Sequence, residues 1–305
     1  MKYTKSCLNY TGGKYKLLNQ IVPLIPNDIR RFYDIFCGGC NVGINIEADE
    51  VVFNDKLKEL IDLYKTFQQL DTKFIFHKVQ ELMSKYNLSD TYKNDYSKYN
   101  SDSSKGLAVY NKEGYLRLRN DYNSFKPITN EDIIEKNIML YTLIVYGFNN
   151  QIRFNKKGEY NIPVGKRDFN KNVRANLELF IKALNKANIK FESSDYVKLN
   201  YDDLGSKDFV YVDPPYLITT ATYNEQGGWT ETNEKELLSF LDWLNEKGIR
   251  FALSNVLESK GQENLILADW CKKYNIHYLN KDYNNSNYQI KDKSKKSVEV
   301  LITNY

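Results

Sequence analysis

The 305-residue chain carries 43 Lys and Arg against 39 Asp and Glu, a formal charge of +4, with 42% hydrophobic and 27% charged residues. This composition excludes a mainly disordered or fibrous chain, and the length fits two domains or one large one. No apolar run reaches the roughly 20 residues of a membrane span, and the start MKYTKSCLNY lacks the layout of a signal peptide, so a cytoplasmic protein without a membrane partner is expected. Four cysteines (Cys7, Cys37, Cys40, Cys271) and two histidines (His77, His277) are too few for a disulfide scaffold or a protein-built zinc site, and chemistry without a metal is expected.

Residues 14 to 25 place Leu17, Leu18, Ile21, Val22 and Ile25 at helical spacing, and Pro26 to Asp28 stop that helix before the strand-like run RFYDIF. The glycine-containing loop FCGGCNVG follows. Val51 to Phe53 reads as a second strand ending at Asn54 and Asp55, and Leu57 to Leu70 as a helix. Residues 84 to 126, dense in Tyr, Asn, Ser, Asp and Lys, predict a loop-rich stretch on the surface. A helix through Ile133, Ile134, Ile138, Leu140, Ile144 and Val145 leads into YGFNNQIRFNKKGEYNIPVGKRDF, where KKG between two short strand-like runs predicts a hairpin turn. Helical periodicity resumes over Val173 to Ala187. FVYV then reads as a strand, Glu234 to Asn245 as a helix, IRFALSN as a strand, Gln262 to Tyr274 as a helix and VEVLITN as a closing strand. The alternation predicts one α/β domain built from both ends of the chain and interrupted by a second domain, with a nucleoside bound at the carboxyl ends of its strands.

The tetrapeptide Asp213-Pro214-Pro215-Tyr216 directly follows the apolar strand FVYV, where such a sheet presents its ligand-facing loop. Two prolines fix the backbone and leave carbonyls without competing amide donors, so an acid and a rigid carbonyl can both accept hydrogen bonds from one amino group. The tyrosine adds a stacking face for a base. This set suits transfer to an exocyclic amine, although a strand ending in a proline turn also serves packing alone. Asp34-Ile35-Phe36-Cys37-Gly38-Gly39-Cys40 puts an acid, an aromatic ring and two glycines after the first strand, and glycine lets backbone approach a ligand closely. Its formal CxxC has no second cysteine pair, which disfavours a metal or redox role. Asp55, about twenty residues beyond the glycines, stands where an acid would bond a ribose diol or, alternatively, cap the following helix.

In chain order, Asn9 to Lys14, Asp34 to Cys40, Asn54-Asp55, Ser194-Asp195-Tyr196, Asp213 to Tyr216 and Ser254-Asn255 resemble the motifs of the Dam-type, alpha-group DNA adenine methyltransferases. Cys40 departs from the small glycine or serine of many relatives, and Tyr10 from the tryptophan of some. The resemblance implies a Rossmann-like sheet that uses S-adenosylmethionine, with an inserted, mainly helical DNA-recognition domain carrying a β-hairpin. It implies catalytic-domain parts at 1–65 and 173–305 around a recognition domain at 66–172. It also implies that Tyr10, Lys14, Asp34, Phe36, Gly38, Asp55, Asp195, Tyr196 and Asp213 contact the cofactor, Lys14 meeting its carboxylate and Asp55 its ribose. Asp213, Pro214, Pro215 and Tyr216 form the catalytic set: Asp213 and the Pro214 carbonyl grip the target amine, and Tyr216 stacks on an adenine flipped out of duplex DNA. No covalent nucleophile is needed, so the cysteines are expected to be dispensable to the chemical step.

Between residues 150 and 175 seven basic residues (Arg153, Lys156, Lys157, Lys166, Arg167, Lys171, Arg174) face two acids (Glu159, Asp168), a local net of +5. With the neighbouring aromatic and amide side chains this run can neutralise phosphates and read base edges, or it can be a solvated basic loop. The resemblance implies a hairpin in the major groove with Phe148, Asn149, Gln151, Arg153, Lys157, Pro163 and Lys166 as DNA contacts, Arg153 meeting a base. It is similar over NNQIRFNKKGEYNIPVGKRDF to restriction-modification members that methylate GATC, with Gln151 departing from the apolar residue of other GATC enzymes. GATC is thus the implied site, a cognate restriction endonuclease an implied partner, and a monomer the expected state. Lys291, Lys293, Lys295 and Lys296 form a second basic run, expected to be a backbone clamp or a mobile loop and not a reader of bases. Two other readings stay open: a methyltransferase of amino groups in RNA or protein, and a catalytically silent nucleic-acid-binding module on the same fold.

Overall fold

Eight strands form one sheet among the residues that the computed structural model describes, 3–186, 188–219, 228–280 and 297–305. They are β1 (Arg31–Asp34), β2 (Glu50–Asn54), β3 (Ile189–Glu192), β4 (Phe209–Val212), β5 (Arg250–Ser259), β6 (Gln262–Glu263), β7 (Asn275–Leu279) and β8 (Val298–Thr303). Their order is β3-β2-β1-β4-β5-β8-β7, with β6 pairing β5 off this path. From β3 to β5 every pairing is parallel, whereas β8 runs antiparallel to both β5 and β7. This mixed α/β, mostly parallel sheet is consistent with a Rossmann-like methyltransferase. The order reverses between β1 and β4, which opens a crevice at the carboxyl ends of the strands, the general ligand position of such sheets.

Contacts divide the chain into two units, and the sheet belongs to the one made of Lys14–Lys56 and Ala187–Tyr305. Its buried strands read as apolar runs because both faces are covered. One face, with Tyr33, Val52, Val210, Val212, Phe251, Leu253, Val300 and Ile302, packs under helices that supply Leu237, Leu238, Leu241, Leu244 and Leu267. Each fully buried leucine of this kind stabilises the fold by roughly 1.5 to 3 kcal/mol. The expected helix over 14–25 is instead two 3₁₀ turns, Lys14–Leu17 and Val22–Leu24, flanking the one-turn helix α1 (Leu18–Ile21). Pro23 lies in the second turn and cannot donate to a longer ladder. Gln20 exchanges two hydrogen bonds with the Asn280 backbone, and Tyr305 Oη donates to the Leu24 carbonyl, tying this segment along the sheet.

The second unit comprises Lys2–Gly13 and Leu57–Lys186. It is built on α2 (Lys58–Gln69), α3 (Thr72–Lys85), α4 (Ala108–Ser124), α5 (Asn130–Tyr146) and α6 (Lys171–Leu184). Helix α5 is buried along most of its length and starts with a capping box between Thr129 and Asp132. Tyr64 of α2 meets Phe180 of α6 at 5.6 Å between ring centroids, and Phe67 of α2 meets Tyr141 of α5 at 5.2 Å. These contacts place α2 and α6 in the helical unit, whereas the boundaries expected at 65 and 172 divide or exclude them.

The stretch 84–126 is a correction to the sequence reading, for it contains the 17-residue helix α4. Its buried face consists of Asn111, Gly114, Tyr115, Leu118 and Tyr122, helically spaced but poor in aliphatics, so composition conceals the periodicity. Gly114 lacks the Cβ that would strike the Tyr86 carbonyl just beyond α3. The sheet unit closes with α7 (Glu231–Glu246), capped by a box between Thr230 and Asn233, and α8 (Leu265–Trp270). The helix expected over 262–274 is shortened because β6 occupies its start and the chain tightens into a 3₁₀ turn, Cys271–Lys273, after Trp270. No helix among the described residues is long and apolar enough to cross a membrane.

Candidate functional site

Asp34 ends β1, and Asp213 follows β4 immediately, so the strand switch brings two carboxylates to the same crevice; register pairs Asp34 with Tyr211. Lys14, at the start of the first 3₁₀ turn and only 4% exposed, sends its ammonium to both Asp213 oxygens, at 2.6 and 2.8 Å. Tyr216 Oη donates to Asp213 Oδ1 at 2.9 Å, and the Lys14 ammonium lies 5.0 Å from the centre of the Tyr216 ring. Burial pushes the Asp213 carboxyl up from its ordinary value, while Lys14 and the Tyr216 hydroxyl pull it back. Burial, and then the Asp213 charge, drive the Tyr216 hydroxyl well above its usual range. The tetrapeptide thus presents an acceptor whose charge is sustained by one buried cation.

The glycine loop is braced from three sides. Gly38 N–H donates to Asp55 Oδ2 at 3.0 Å, Cys37 N–H to the Asn54 carbonyl at 2.9 Å, and Gly43 N–H to Asp34 Oδ2 at 3.4 Å. A Cβ on Gly43 would stand 2.5 Å from the Phe53 ring and 3.2 Å from Asp34 Oδ2, so the backbone approach requires glycine. Cys40 adopts a left-handed φ of 56°, a conformation that a glycine would take without strain. Asp34 Oδ1 is buried without a hydrogen-bond partner, and burial raises its carboxyl well above the usual range, with the Asp213 charge adding to the effect. A buried acceptor of this kind beside glycines fits a polar ligand group. Helix α2 has Leu57 as its N-cap, two residues beyond Asp55.

Asn54, at the end of β2, donates to the Ile35 and Ser194 carbonyls, both at 3.1 Å, and accepts from Ser194 N–H at 3.0 Å. That clamp fixes the neighbouring Asp195, which caps the turn Tyr196–Lys198 and pairs with Lys56 at 3.3 Å. The Tyr196 and Phe36 rings lie 5.3 Å apart, and Phe36 meets the edge of Trp229 at 5.9 Å, giving an apolar wall beside the loop. Sequence reasoning did not find Trp229 or Glu234. The fully buried Glu234 carboxylate accepts from Trp229 Nε1 at 2.6 Å, Asn264 Nδ2 at 2.8 Å and Asn255 Nδ2 at 3.2 Å. Asn255 therefore braces this wall, while Ser254 Oγ bonds the Tyr211 hydroxyl at 2.7 Å on the other sheet face. A helix-borne glutamate followed by distant asparagines leaves no local signature.

The structure gathers Lys14, Asp34, Phe36, Gly38, Asp55, Asp195, Tyr196 and the Asp213–Tyr216 tetrapeptide in the sheet unit, and places Tyr10 in the helical one. There Asn9 Nδ2 donates to the Asn149 carbonyl at 3.2 Å. In that unit the expected hairpin is represented by two isolated antiparallel bridges, Gly147 with Val164 and Phe154 with Tyr160. Asn155 turns the chain, accepting from the N–H groups of Lys157 and Glu159, with Gly158 at a φ of 76°. Buried Phe154 and Tyr160 pack edge to face, and α4 grips the return run through Asn123 on Tyr160 and through Tyr115 and Arg119 on the Ile162 carbonyl. Phe148, Lys157, Pro163 and Lys166 are exposed, while Asn149, at a φ of 54°, Gln151 and Arg153 are partly or fully accessible. Arg153 Nε donates to Asn161 Oδ1 at 2.8 Å.

One member of the basic run is not at the surface. Arg174 is buried between Phe169 and Tyr92, at 4.3 and 4.5 Å from their ring centres, and pairs with Asp90 at 3.6 Å. Asp168 is buried as well and accepts from Ser89 and Thr91, so losing one charge of each sign keeps the local net at +5. Lys291, Lys293, Lys295 and Lys296 lie outside the described residues.

Residues 10–285 match the family model of the D12 class N6 adenine-specific DNA methyltransferases. The chain belongs to this family. It is 41% identical over 309 residues to the Type II methyltransferase M.FokI of Planomicrobium okeanokoites, covering 99% of this chain and 43% of that protein. Modification methylase StsI of Streptococcus sanguinis is 41% identical over 312 residues, covering 100% of this chain and 43% of its own. The chain therefore spans less than half the length of these two relatives. The DNA adenine methylase of Escherichia coli (strain K12) is 22% identical over 286 residues, 92% of this chain and 88% of that methylase.

Proposed function

We propose that the chain is a site-specific DNA adenine methyltransferase, moving a methyl group from S-adenosylmethionine to the exocyclic N6 amine of an adenine flipped out of duplex DNA. The observation that carries this reading is the Asp213 carboxylate at the carboxyl end of β4, kept charged by Lys14 beside the glycine loop of β1. When bound, the cofactor supplies a methyl group on a positively charged sulfur. Asp34, Phe36, Gly38, Asp55, Asp195 and Tyr196 would hold it, with Lys14 for its carboxylate, Tyr10 as a further contact and Asp213 at its reacting end. The orphaned Asp34 oxygen and the glycine approach at Gly43 support this fit.

The chemical work of the protein is then orientation. Asp213 and the Pro214 carbonyl each accept one hydrogen of the amine, which draws its lone pair out of conjugation with the ring, and Tyr216 offers a stacking face. Pro215 keeps the turn rigid. Alignment of this kind can supply about 7 to 11 kcal/mol of the barrier reduction. Flipping costs a few kcal/mol, which duplex contacts must offset.

The helical unit would recognise the target, with Phe148 and Asn149 at the opened site, Gln151 and Arg153 at base edges, and Lys157, Pro163 and Lys166 along the backbone. Its exposed basic run supports this role. Kinship to a Type II methyltransferase and a modification methylase supports a restriction-modification setting, in which a cognate endonuclease would be the partner, and GATC is the first target sequence to test. Incubating the chain with labelled S-adenosylmethionine and plasmid DNA, then mapping methylated adenines, tests activity and specificity together. Label in RNA or protein instead of DNA would support the rival amino-methyltransferase, and no transfer at all would support a silent module.

A further inference from the structure

Outside the motif residues, Glu299 of β8 is a buried carboxylate, 7% exposed, on the reacting side of the sheet. Register fixes its face. Tyr211 pairs with Ala252 in β5, and Ala252, Ser254 and Val256 pair in turn with Thr303, Leu301 and Glu299 in β8. Paired residues and their second neighbours share a face, so Tyr211, Ser254 and Glu299 point to one side, as does Asp213, two residues beyond Tyr211. The bond between the Tyr211 and Ser254 hydroxyls verifies this assignment. Because β8 runs antiparallel, Glu299 also lies toward the carboxyl end of β4 and β5, the end that carries Asp213. Only β5 separates the two strands, about 10 Å between strand axes.

We infer that Glu299 is a positioning residue of the transfer reaction, setting through its negative charge the readiness of Asp213 to take a proton from the target amine. This rests on the proposed methyl transfer. The amine nitrogen forms its bond to the methyl carbon, the carbon–sulfur pair stays with sulfur as a neutral thioether, and the nitrogen becomes cationic and must shed one proton to a nearby base. A second negative charge on the same face favours that loss. Burial first, and the Glu299 charge after it, push Asp213, Tyr216 and Tyr211 toward their protonated forms. Among the described residues, the groups around Asp213 are Lys14, Asp34, Tyr211, Tyr216 and Glu299, and His277 of β7 is engaged with Thr303 toward the other end of β8.

The test compares the wild-type chain with Glu299→Gln and Glu299→Asp. It measures single-turnover methylation against pH, S-adenosylhomocysteine affinity by calorimetry, thermal unfolding, and titration of ¹³C-labelled carboxyl groups in the free protein. Expected for Glu299→Gln are unchanged unfolding and cofactor-product affinity. Its rate should be roughly tenfold lower, short of the 10² to 10⁴ of a base that touches the proton itself. Both the acid limb of the rate profile and the Asp213 titration should move to lower pH, and Glu299→Asp should restore them in part. A Gln variant with wild-type rate and titration overturns the inference, as does a slower one that melts earlier with the Asp213 titration unmoved. Should that variant not fold, Glu299→Asp decides, because drawing the charge back by one methylene must still move the Asp213 titration in part, and an unmoved Asp213 titration rejects the role. Absence of transfer by the wild-type chain would sink the proposed function instead, leaving the titrations to judge the coupling.

Discussion

Lys14 holds both carboxylate oxygens of Asp213, at 2.6 and 2.8 Å, across 199 residues of sequence. In the proposed reaction one of these oxygens must accept from the target amine, so Lys14 has two duties. It keeps Asp213 ionised in a partly buried place, and it must leave a lone pair of one oxygen open to the amine. A buried charge stripped of its partner is costly, and the carboxyl then takes up a proton instead.

Replacing Lys14 by methionine removes the cation that pulls the Asp213 carboxyl down while burial continues to push it up. The acid limb of the methylation rate profile should therefore move to higher pH, opposite in sign to the shift expected for Glu299→Gln. Lys14→Arg, which keeps the charge, should move it less. An acid limb that stays in place in a folded Lys14→Met protein would separate Lys14 from the ionisation of Asp213.

Asp34 leads to a stability prediction. Its carboxyl is raised well above the ordinary value by burial, so it stabilises the fold most at pH values below its unfolded value near 3.8, and that contribution is lost as pH rises through the folded value. Asp34→Asn cannot ionise and retains an acceptor for Gly43. Its advantage over wild type in urea unfolding should therefore grow as pH is raised above about 4, reaching about 1 to 2 kcal/mol. Cofactor affinity should fall in the same variant. A stability difference that is constant with pH would show that the Asp34 carboxyl is not raised in the folded chain.

Asp55 tests the other side of the loop. It already accepts from Gly38 N–H, so Asp55→Ala should loosen the loop and remove the proposed ribose acceptor together. The expected loss in S-adenosylmethionine binding is about 1.5 to 3 kcal/mol, the worth of a charge-assisted hydrogen bond. Calorimetry that finds wild-type affinity would leave Asp55 as a brace for Gly38 only.

Much of this site was legible in the sequence because its groups follow strand ends. Asp34 and Asp213 each stand where an apolar run stops, and a parallel sheet brings such positions together whatever lies between them. Lys14, although named from a motif, gave no sign of its pairing with Asp213, since the sequence separates them by most of the chain. Glu234 and Glu299 were not legible as site residues at all. Each looks like an ordinary surface acid until α7 buries one beside Trp229, Asn255 and Asn264, and the β5–β8 register turns the other toward Asp213. Helix α4 escaped notice for a related reason, its buried face being made of Tyr, Asn and Gly rather than aliphatics.

Arg153 carries the test of sequence reading. Its Nε is committed to Asn161 Oδ1, and Asn161 N–H returns to the Arg153 carbonyl at 3.3 Å, so the guanidinium plane is fixed by its neighbour across the turn. A planar fork held in this way suits the two major-groove acceptors of a guanine, which the point charge of a lysine would not match. Arg153→Ala should lose roughly 1 to 3 kcal/mol of discrimination at one position of the target, and Asn161→Ala should relax the same position to a smaller degree. Lys157, exposed at the tip of the turn, should behave differently: its alanine variant should weaken binding to every duplex alike and flatten the salt dependence. Methylation rates on the preferred site and its single-base variants decide between the two roles. An Arg153→Ala enzyme that is uniformly slower, with its order of preference unchanged, would make Arg153 a phosphate contact, and an Asn161→Ala enzyme relaxed at a different position would show that the pair does not act together.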